Sequence, residues 1–304
     1  MRSRELGYRV LGRRLDYVLH LRPAEWPIVA VHAATGAVLA IGLPALALTD
    51  IRTVLLGIGL WVVCLNGGTL AINSAFDRDE GDIAYLRAPP NPPPHLFTFG
   101  AALMVFGLGV AAALPLVYWQ AYACCVGLSV LYSVPPMRLK AVAGIDWFIN
   151  MWGFGTITPF AGWAATGLPV TGVGETVLLA FCPLFAGLYP LTQLYQLEED
   201  RRRGDRTLAS ALGPRGSVAL SIGSVVLAFA LFIWASIHAG WAGLPDGFFR
   251  AGLLFAAAAT WTLILLPWFR DADRLTPQSH ERRMYLALLA WAVTDAAVIY
   301  GFGR

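Results

Sequence analysis

The chain has 304 residues, 57% of them hydrophobic and only 13% charged, with a net charge of +3 and a mean hydropathy of +0.61. A water-soluble domain of this length carries roughly a quarter charged residues, so composition excludes an ordinary soluble protein, and several apolar windows approach the roughly 20 residues that cross a bilayer. The expected fold class is an all-α membrane protein forming one domain over 1–304, with no nucleic-acid partner and no obligate protein partner.

The opening residues 1–22 are too charged to contain the apolar run of a cleavable signal. Arg9, Arg13 and Arg14 are expected in a short amphipathic helix lying on the membrane. Nine spans are then predicted near 25–48, 53–75, 96–116, 118–134, 145–167, 174–195, 216–239, 249–268 and 284–303. Nineteen of the twenty-two Lys and Arg residues fall on one side of this arrangement; only Arg52, Arg250 and Arg304 fall on the other. The positive-inside rule places the rich side, with the N-terminus and the loops after the even-numbered spans, in the cytoplasm. The expected location is a multi-pass protein of a bacterial or archaeal cell membrane. Cys64, Cys124, Cys125 and Cys182 all lie in apolar runs without metal spacing and read as small core residues.

Where the second span ends the chain reads NSAFDRDEGD, Asn73 to Asp82; where the sixth ends it reads QLEEDRRRGD, Gln196 to Asp205. Both follow one pattern: an amide, three residues, Asp-Arg, two residues, Gly-Asp. Asn73 and Asp77 are four apart and share a helix face, as do Gln196 and Asp200, with Gln193 one turn earlier. A parallel duplication of about four helices would give this pattern, with the two ends facing one another across a central cavity. Carboxylates crowded at one depth repel unless cations lie between them. Oxygen-only donors suit a hard cation such as Mg²⁺, which one or two carboxylates and substrate phosphates commonly hold, while interleaved arginines bind phosphate oxygens in pairs. The pairing therefore reads as a diphosphate site with metals on both sides. A single copy would read equally well as a solvated loop of ion pairs; the shared pattern favours the site.

Between the two copies lies LYSVPPMRLKAVAGIDWFIN, Leu131 to Asn150, in which Pro135 and Pro136 end the fourth span, Arg138 and Lys140 follow, and Asp146 and Asn150 are again four apart. With these three motifs in order, and the opening LRPAEWP from Leu21 to Pro27, the chain resembles the UbiA superfamily of intramembrane prenyltransferases over nearly its whole length. That family carries Asn-x3-Asp-x3-Asp on its second helix, Tyr-Ser-x-Pro-Pro-x-Arg-x-Lys after its fourth, and an Asp-rich motif on its sixth. The resemblance implies a bundle of nine helices around a central cavity, an isoprenoid diphosphate bound through Mg²⁺, and ionisation to an allylic cation that an acceptor captures. Two departures stand out. The last Asp of the first motif would fall at Gly81, with Asp82 beside it, and positions that are Asp in many relatives are Gln193 and Gln196 here.

The expected metal ligands are Asp77 and Asp200, then Asp82, Glu199 and Asp205, with Asn73 and Gln196 ligating metal or bonding phosphate. Arg138 and Lys140 are expected to neutralise the departing diphosphate, with Arg22 and Arg78 assisting and Tyr132 touching either phosphate or cation. Trp147, Trp152, Phe154, Phe160, Trp163 and Tyr189 are candidates to line the cavity, where an aromatic face attracts a desolvated cation by up to about 2 kcal/mol, although aromatics in spans also face lipid. Asp295 is expected to have a structural partner within the bilayer, an Asn or Ser, and His32 to be a satisfied interhelical residue. The proline-rich segment Leu86 to His95 reads as a stiff spacer. The function expected is Mg²⁺-dependent transfer of a prenyl group from an allylic diphosphate to an aromatic or lipid acceptor. A membrane terpene cyclase acting on the same diphosphate is the alternative. Polar groups gathered at helix ends, rather than at broken helices near the midplane, argue against a transporter.

Overall fold

The computed structural model describes residues 2–77, 82, 83 and 86–303. The described residues are almost entirely helical and contain no strand, only the isolated bridges Ile83 to Leu86 and Val142 to Arg206. In chain order the helices are α1 (Arg2–Leu11), α2 (Leu15–His20), α3 (Trp26–Ile41), α4 (Arg52–Asp77), α5 (Leu96–Ala111), α6 (Leu116–Ser133), α7 (145–164), α8 (Gly172–Gln193), α9 (Leu197–Arg203), α10 (Leu208–His238), α11 (Gly247–Asp271) and α12 (Pro277–Phe302). Helices α4 and α7 each contain a π-helical turn, at Leu60–Asn66 and Met151–Ile157.

Among the described residues six segments are long and apolar enough to cross a membrane: Arg52–Asp77, Leu116–Ser133, Gly172–Gln193, Leu208–His238, Gly247–Arg274 and Pro277–Phe302. They coincide with six of the nine expected spans. Of the other three expected spans, α3 and α5 are shorter apolar helices of 16 residues each, and α7 is interrupted by its π turn. Two helices begin earlier than hydropathy indicates, α10 at Leu208 and α12 at Pro277. Their first turns are polar and are fixed by caps: Thr207 Oγ1 accepts from Ser210 N at 3.2 Å and Thr276 Oγ1 from Ser279 N at 3.3 Å. In α10 the helix kinks at Gly213–Pro214, where Gly213 has φ 70°.

The chain forms two compact units. One holds residues up to Ala30 with Leu55–Arg138, the other Val31–Val54 with Leu139–Arg304. Lipid tails are as apolar as leucine, so close backbone approach and interhelical hydrogen bonds hold such helices together. In the first unit α4 and α5 cross through Gly68 and Gly100, where an added Cβ at Gly100 would stand 2.8 Å from Gly68 O. Tyr118 Oη on α6 donates to Gly57 O on α4 at 2.7 Å. Leu21, Ala71 and Leu96 form a buried cluster there with Tyr17, Trp26 and Phe99 against it. In the second unit Trp261 and Trp268 of α11 are fully buried and donate to Thr294 Oγ1 and His280 Nδ1 of α12, both at 3.0 Å. Ser221 Oγ of α10 donates to Gly187 O of α8.

Candidate active site

In the first unit, α4 and α6 are laced by a ladder of polar contacts one helical turn apart. Thr69 Oγ1 donates to Ser129 Oγ at 2.8 Å, and Ser133 Oγ to Asn73 Oδ1 at 3.4 Å. At the end of α4, Arg138 Nη2 donates to Asp77 Oδ1 at 3.0 Å. The four-residue spacing of Thr69, Asn73 and Asp77 therefore presents one polar edge to the end of α6 and the loop beyond it. Arg138 and Asp77 form a charge-assisted pair, 25% and 8% exposed respectively. Tyr132 lies half-buried beside Ser133.

Among the described residues four non-glycine residues have a left-handed backbone, all in this unit: Arg22, Ala88, His95 and Arg138. Two are the arginines expected to meet phosphate, with φ 49° and 37°. Such conformations cost of order 1–3 kcal/mol each and cluster at ligand sites. Arg22 also has its Nε buried without a hydrogen-bond partner, an orphaned cationic donor. Asp82 is exposed and accepts from Ala88 N at 2.7 Å, anchoring the proline-rich segment. That segment is strapped further by Arg4 Nη1 to Ala88 O at 2.9 Å and by Tyr17 Oη to Pro94 O. Arg78, with Asp79, Glu80 and Gly81, lies outside the described residues.

In the second unit the acidic motif folds around a helix stop. Gly204 takes φ 78°, its N–H reaches Arg201 O at 3.1 Å, and Asp205 N reaches Asp200 O at 2.9 Å. This Schellman arrangement gives the Gly-Asp pair of the second motif a local reason and leaves the Asp200 and Asp205 carboxylates buried. Glu199 is half-buried on the same short helix, and Gln196, also half-buried, precedes its first residue.

Asp146 organises the surroundings, and sequence reading gave it no role. It is fully buried, accepting from Gly144 N at 2.8 Å, Leu208 N at 3.0 Å and Gln193 Nε2 at 3.2 Å. These bonds tie the loop before α7 to the end of α8 and the start of α10. Arg206 N adds a bond to Ala141 O at 3.2 Å, next to the buried Lys140. The Asp146 and Asn150 spacing was the available signal, and its use is local: Asn150 Nδ2 donates to Asp146 O at 2.8 Å. Gln193 also donates to Tyr189 Oη at 3.0 Å, while its Oε1 is buried with no partner. An aspartate at 193 would set a second carboxylate against Asp146, so the amide at this position is a structural requirement of this chain.

Above this end stand stacked rings. Phe185 lies 6.3 Å from Tyr189 and 4.6 Å from Phe154, which stacks on His32 at 5.6 Å. Of the other expected aromatics, Trp147 donates to Ala186 O at 2.8 Å and Trp163 is buried against Gly174. The intramembrane partner of Asp295 is His32, at 2.9 Å, together with Thr35, rather than Asn or Ser.

Among the described residues no three His, Cys, Asp or Glu side chains converge as a metal site. The donors available are oxygens throughout: Asn73 and Asp77 in one unit, Gln196, Glu199, Asp200 and Asp205 in the other. One or two carboxylates per ion suit a hard divalent cation whose remaining ligands come from phosphate and water, and the donor set fits such an ion.

Comparison with known proteins agrees with this geometry. Residues 29–291 match the model of the UbiA prenyltransferase family. A lycopene elongase/hydratase of Haloferax volcanii is 27% identical over 248 residues, covering 76% of each chain. A second lycopene elongase/hydratase, of Halobacterium salinarum, is 29% identical over 177 residues, 56% of this chain and 62% of that one. The fold is similar to a UbiA homologue of Archaeoglobus fulgidus solved with GPP and Mg²⁺, with a TM-score of 0.70 at 20% identity, covering 94% of this chain and 99% of that one. The chain belongs to the UbiA prenyltransferase family.

Proposed function

We propose that the chain transfers a prenyl group from an allylic diphosphate to a hydrophobic acceptor held in the bilayer, and that the acceptor is a polyene of the lycopene type. The observation that carries the reading is the Asn73, Asp77 and Arg138 edge, a carboxylate and an arginine with a strained backbone at the end of a membrane-length helix. The polyene comes from the two relatives, each a lycopene elongase/hydratase. The distribution of basic residues supports a cytoplasmic location for both acidic ends.

Asp77 and Asn73 in the first unit, and Asp200 with Asp205, Glu199 and Gln196 in the second, are the oxygen donors that would hold Mg²⁺ and, through it, diphosphate oxygens. Bound there, Mg²⁺ supplies Lewis-acid stabilisation of the leaving group's charge. Arg138, Lys140 and Arg22 take up that charge as the allylic C–O bond breaks and diphosphate leaves with both electrons. Removing one preorganised donor from an oxyanion hole costs about 2.7–4 kcal/mol, which sets the scale for such a contact. Faces of Tyr189, Phe185 and Phe154 shield the allylic cation from water. The π electrons of a terminal double bond of the acceptor then form the new C–C bond, leaving a tertiary cation. Loss of a proton gives an alkene; capture of water with loss of its proton gives a tertiary alcohol, consistent with both halves of the relatives' name.

The test is diphosphate release by purified protein with dimethylallyl, geranyl, farnesyl or geranylgeranyl diphosphate, with Mg²⁺ or EDTA, with and without lycopene, beside Asp77→Ala. Metal-dependent release coupled to an elongated polyene supports the reading. Release without acceptor, accompanied by a cyclic product, replaces it with a terpene cyclase. Binding without release identifies an inactive relative.

A further inference from the structure

His32 on α3 and Asp295 on α12 are both fully buried in the second unit. His32 Nδ1 lies 2.9 Å from Asp295 Oδ1, which Thr35 Oγ1 also approaches at 3.2 Å. His32 Nε2 lies 3.1 Å from Phe154 O and 3.2 Å from Gly155 O. Those carbonyls sit in the π turn of α7, five and four residues before Pro159. Proline has no N–H, so Pro159 can serve neither the α-helical partner, Gly155 O, nor the π-helical one, Phe154 O. The π pattern itself is visible one residue earlier, where Thr158 N reaches Gly153 O.

His32 thus stands at the two carbonyls that Pro159 leaves unserved. Within a bilayer a freed backbone group must be satisfied by a neighbouring helix. The neighbour is held close: an added Cβ at Gly36 would lie 1.7 Å from Pro159 O, and one at Gly162 1.7 Å from Ala33 O. This backbone-to-backbone crossing of α3 and α7 brings the imidazole into range. Proton accounting gives the state of the pair. Both carbonyls only accept, so Nε2 carries a proton. A bare Nδ1 facing a carboxylate would oppose lone pairs, so a second proton lies between His32 and Asp295. The pair is neutral overall, as burial in a membrane requires.

Phe154 carries the consequence. Its ring stacks on His32 at an interplanar angle of 12° and continues to Phe185 and Tyr189, whose hydroxyl accepts from Gln193. Phe181 and Trp291 meet the imidazole edge-on at 4.8 and 4.7 Å, closing the other sides.

We propose that His32 is a positioning residue. It replaces the hydrogen bond missing at Pro159, fixes the π turn of α7, and thereby holds the Phe154, Phe185 and Tyr189 faces that keep water from the allylic cation. This rests on the prenyl-transfer reading above. The role lies in the partition of the cation between acceptor and water, and substrate does not touch His32.

The experiment is a four-protein cycle: wild type, His32→Leu, Pro159→Ala and the double variant, assayed for prenylated polyene, prenyl alcohol and thermal unfolding. His32→Leu is expected to lower kcat for transfer roughly tenfold, the worth of one buried hydrogen bond, to leave KM for the diphosphate within about threefold, and to shift product toward prenyl alcohol. Pro159→Ala supplies a backbone N–H at the right place, so the double variant is expected to regain most of the partition and of the unfolding midpoint. His32→Gln, whose amide nitrogen reaches the Nε2 position, is expected to be mild and serves if His32→Leu folds poorly. Asp295→Asn is also expected to be mild, since its amide can donate to Nδ1 and leave Nε2–H in place. A double variant that behaves like His32→Leu would overturn the proposal. So would Asp295→Asn that folds normally but does not turn over, because the pair would then move a proton in the reaction. Unfolding midpoints need no substrate. Inactive wild-type protein would sink the transfer reading and the catalytic half of this one, while coupling between positions 32 and 159 would still decide the hydrogen bond.

Discussion

Separating Asp77 from Arg138 should show which of the two charges the fold tolerates worse. Arg138 Nη2 lies 3.0 Å from Asp77 Oδ1, with side chains 25% and 8% exposed. Two unit charges at about 4 Å attract by roughly 4 kcal/mol at an effective dielectric near 20. A quarter-exposed guanidinium is partly screened by water, which brings the expected coupling to about 2 kcal/mol. Asp77→Asn leaves the more exposed charge, which can turn toward solvent. Arg138→Met leaves the more buried carboxylate deprived of this cation, the costlier situation. Arg138→Met should therefore lower the unfolding midpoint in detergent more than Asp77→Asn does, with the double variant closer to Asp77→Asn. Mg²⁺ should recover part of the loss in Arg138→Met, because a metal at Asp77 replaces the missing cation, and none in the double variant. Both single variants should lose roughly 10²- to 10³-fold in diphosphate release. The assay is tryptophan fluorescence against temperature at fixed scan rate, with and without Mg²⁺. If Asp77→Asn proves the more destabilising, or Mg²⁺ leaves Arg138→Met unchanged, the pairing is not the local electrostatic anchor described.

Gln193→Asp should destabilise the protein by several kcal/mol, since it removes the donor to Asp146 and Tyr189 and sets a second carboxylate beside a buried one; expression and unfolding midpoint report it, and a gain in Mg²⁺-dependent activity at normal stability would refute it. Gly36→Ala should abolish folding, because its Cβ would overlap Pro159 O at 1.7 Å; monodisperse protein at wild-type yield would show that α3 and α7 can separate. Arg22→Ala should raise KM for the diphosphate and also lower the unfolding midpoint, because it removes the cation beside the Glu25 carboxylate; an unchanged KM would remove Arg22 from the site.

Apolar windows alone predicted the positions of the six membrane-length helices, because hydropathy depends on local composition. Their starts were harder to read: the first turns of α10 and α12 are polar, and Thr207 and Thr276 define them through caps that an apolar window discards. The shared face of Asn73 and Asp77 was legible from four-residue spacing, and Arg138 from its motif. What spacing could not give was the partner across the fold. Asp146 meets groups 47 and 62 residues away, and His32 meets Asp295 across 263. Gln193 looked like a lost metal ligand; the partners of its amide show a donor between two acceptors. The π turn of α7 was invisible because its cause, Pro159, appears in sequence as an ordinary helix residue near a glycine.

The acidic ends also show how one short segment can fold before it binds. Asp146 satisfies its carboxylate with backbone and amide donors from three directions, so its charge is committed to structure. Asp77 is engaged by an arginine whose own backbone is strained, and Arg22 Nε and Gln193 Oε1 are buried without partners. An orphaned buried group costs roughly 1–3 kcal/mol, and strain adds a comparable amount. Arg22 Nε, in the first unit, is a buried cationic donor that an anionic oxygen would satisfy. A ligand that binds only the folded state stabilises it, so diphosphate with its cation should raise the unfolding midpoint as well as permit chemistry. Unfolding followed with inorganic diphosphate and Mg²⁺, separately and together, should show a rise in midpoint larger than the sum of the two alone. Shifts that merely add would mean that diphosphate and Mg²⁺ bind independently of one another.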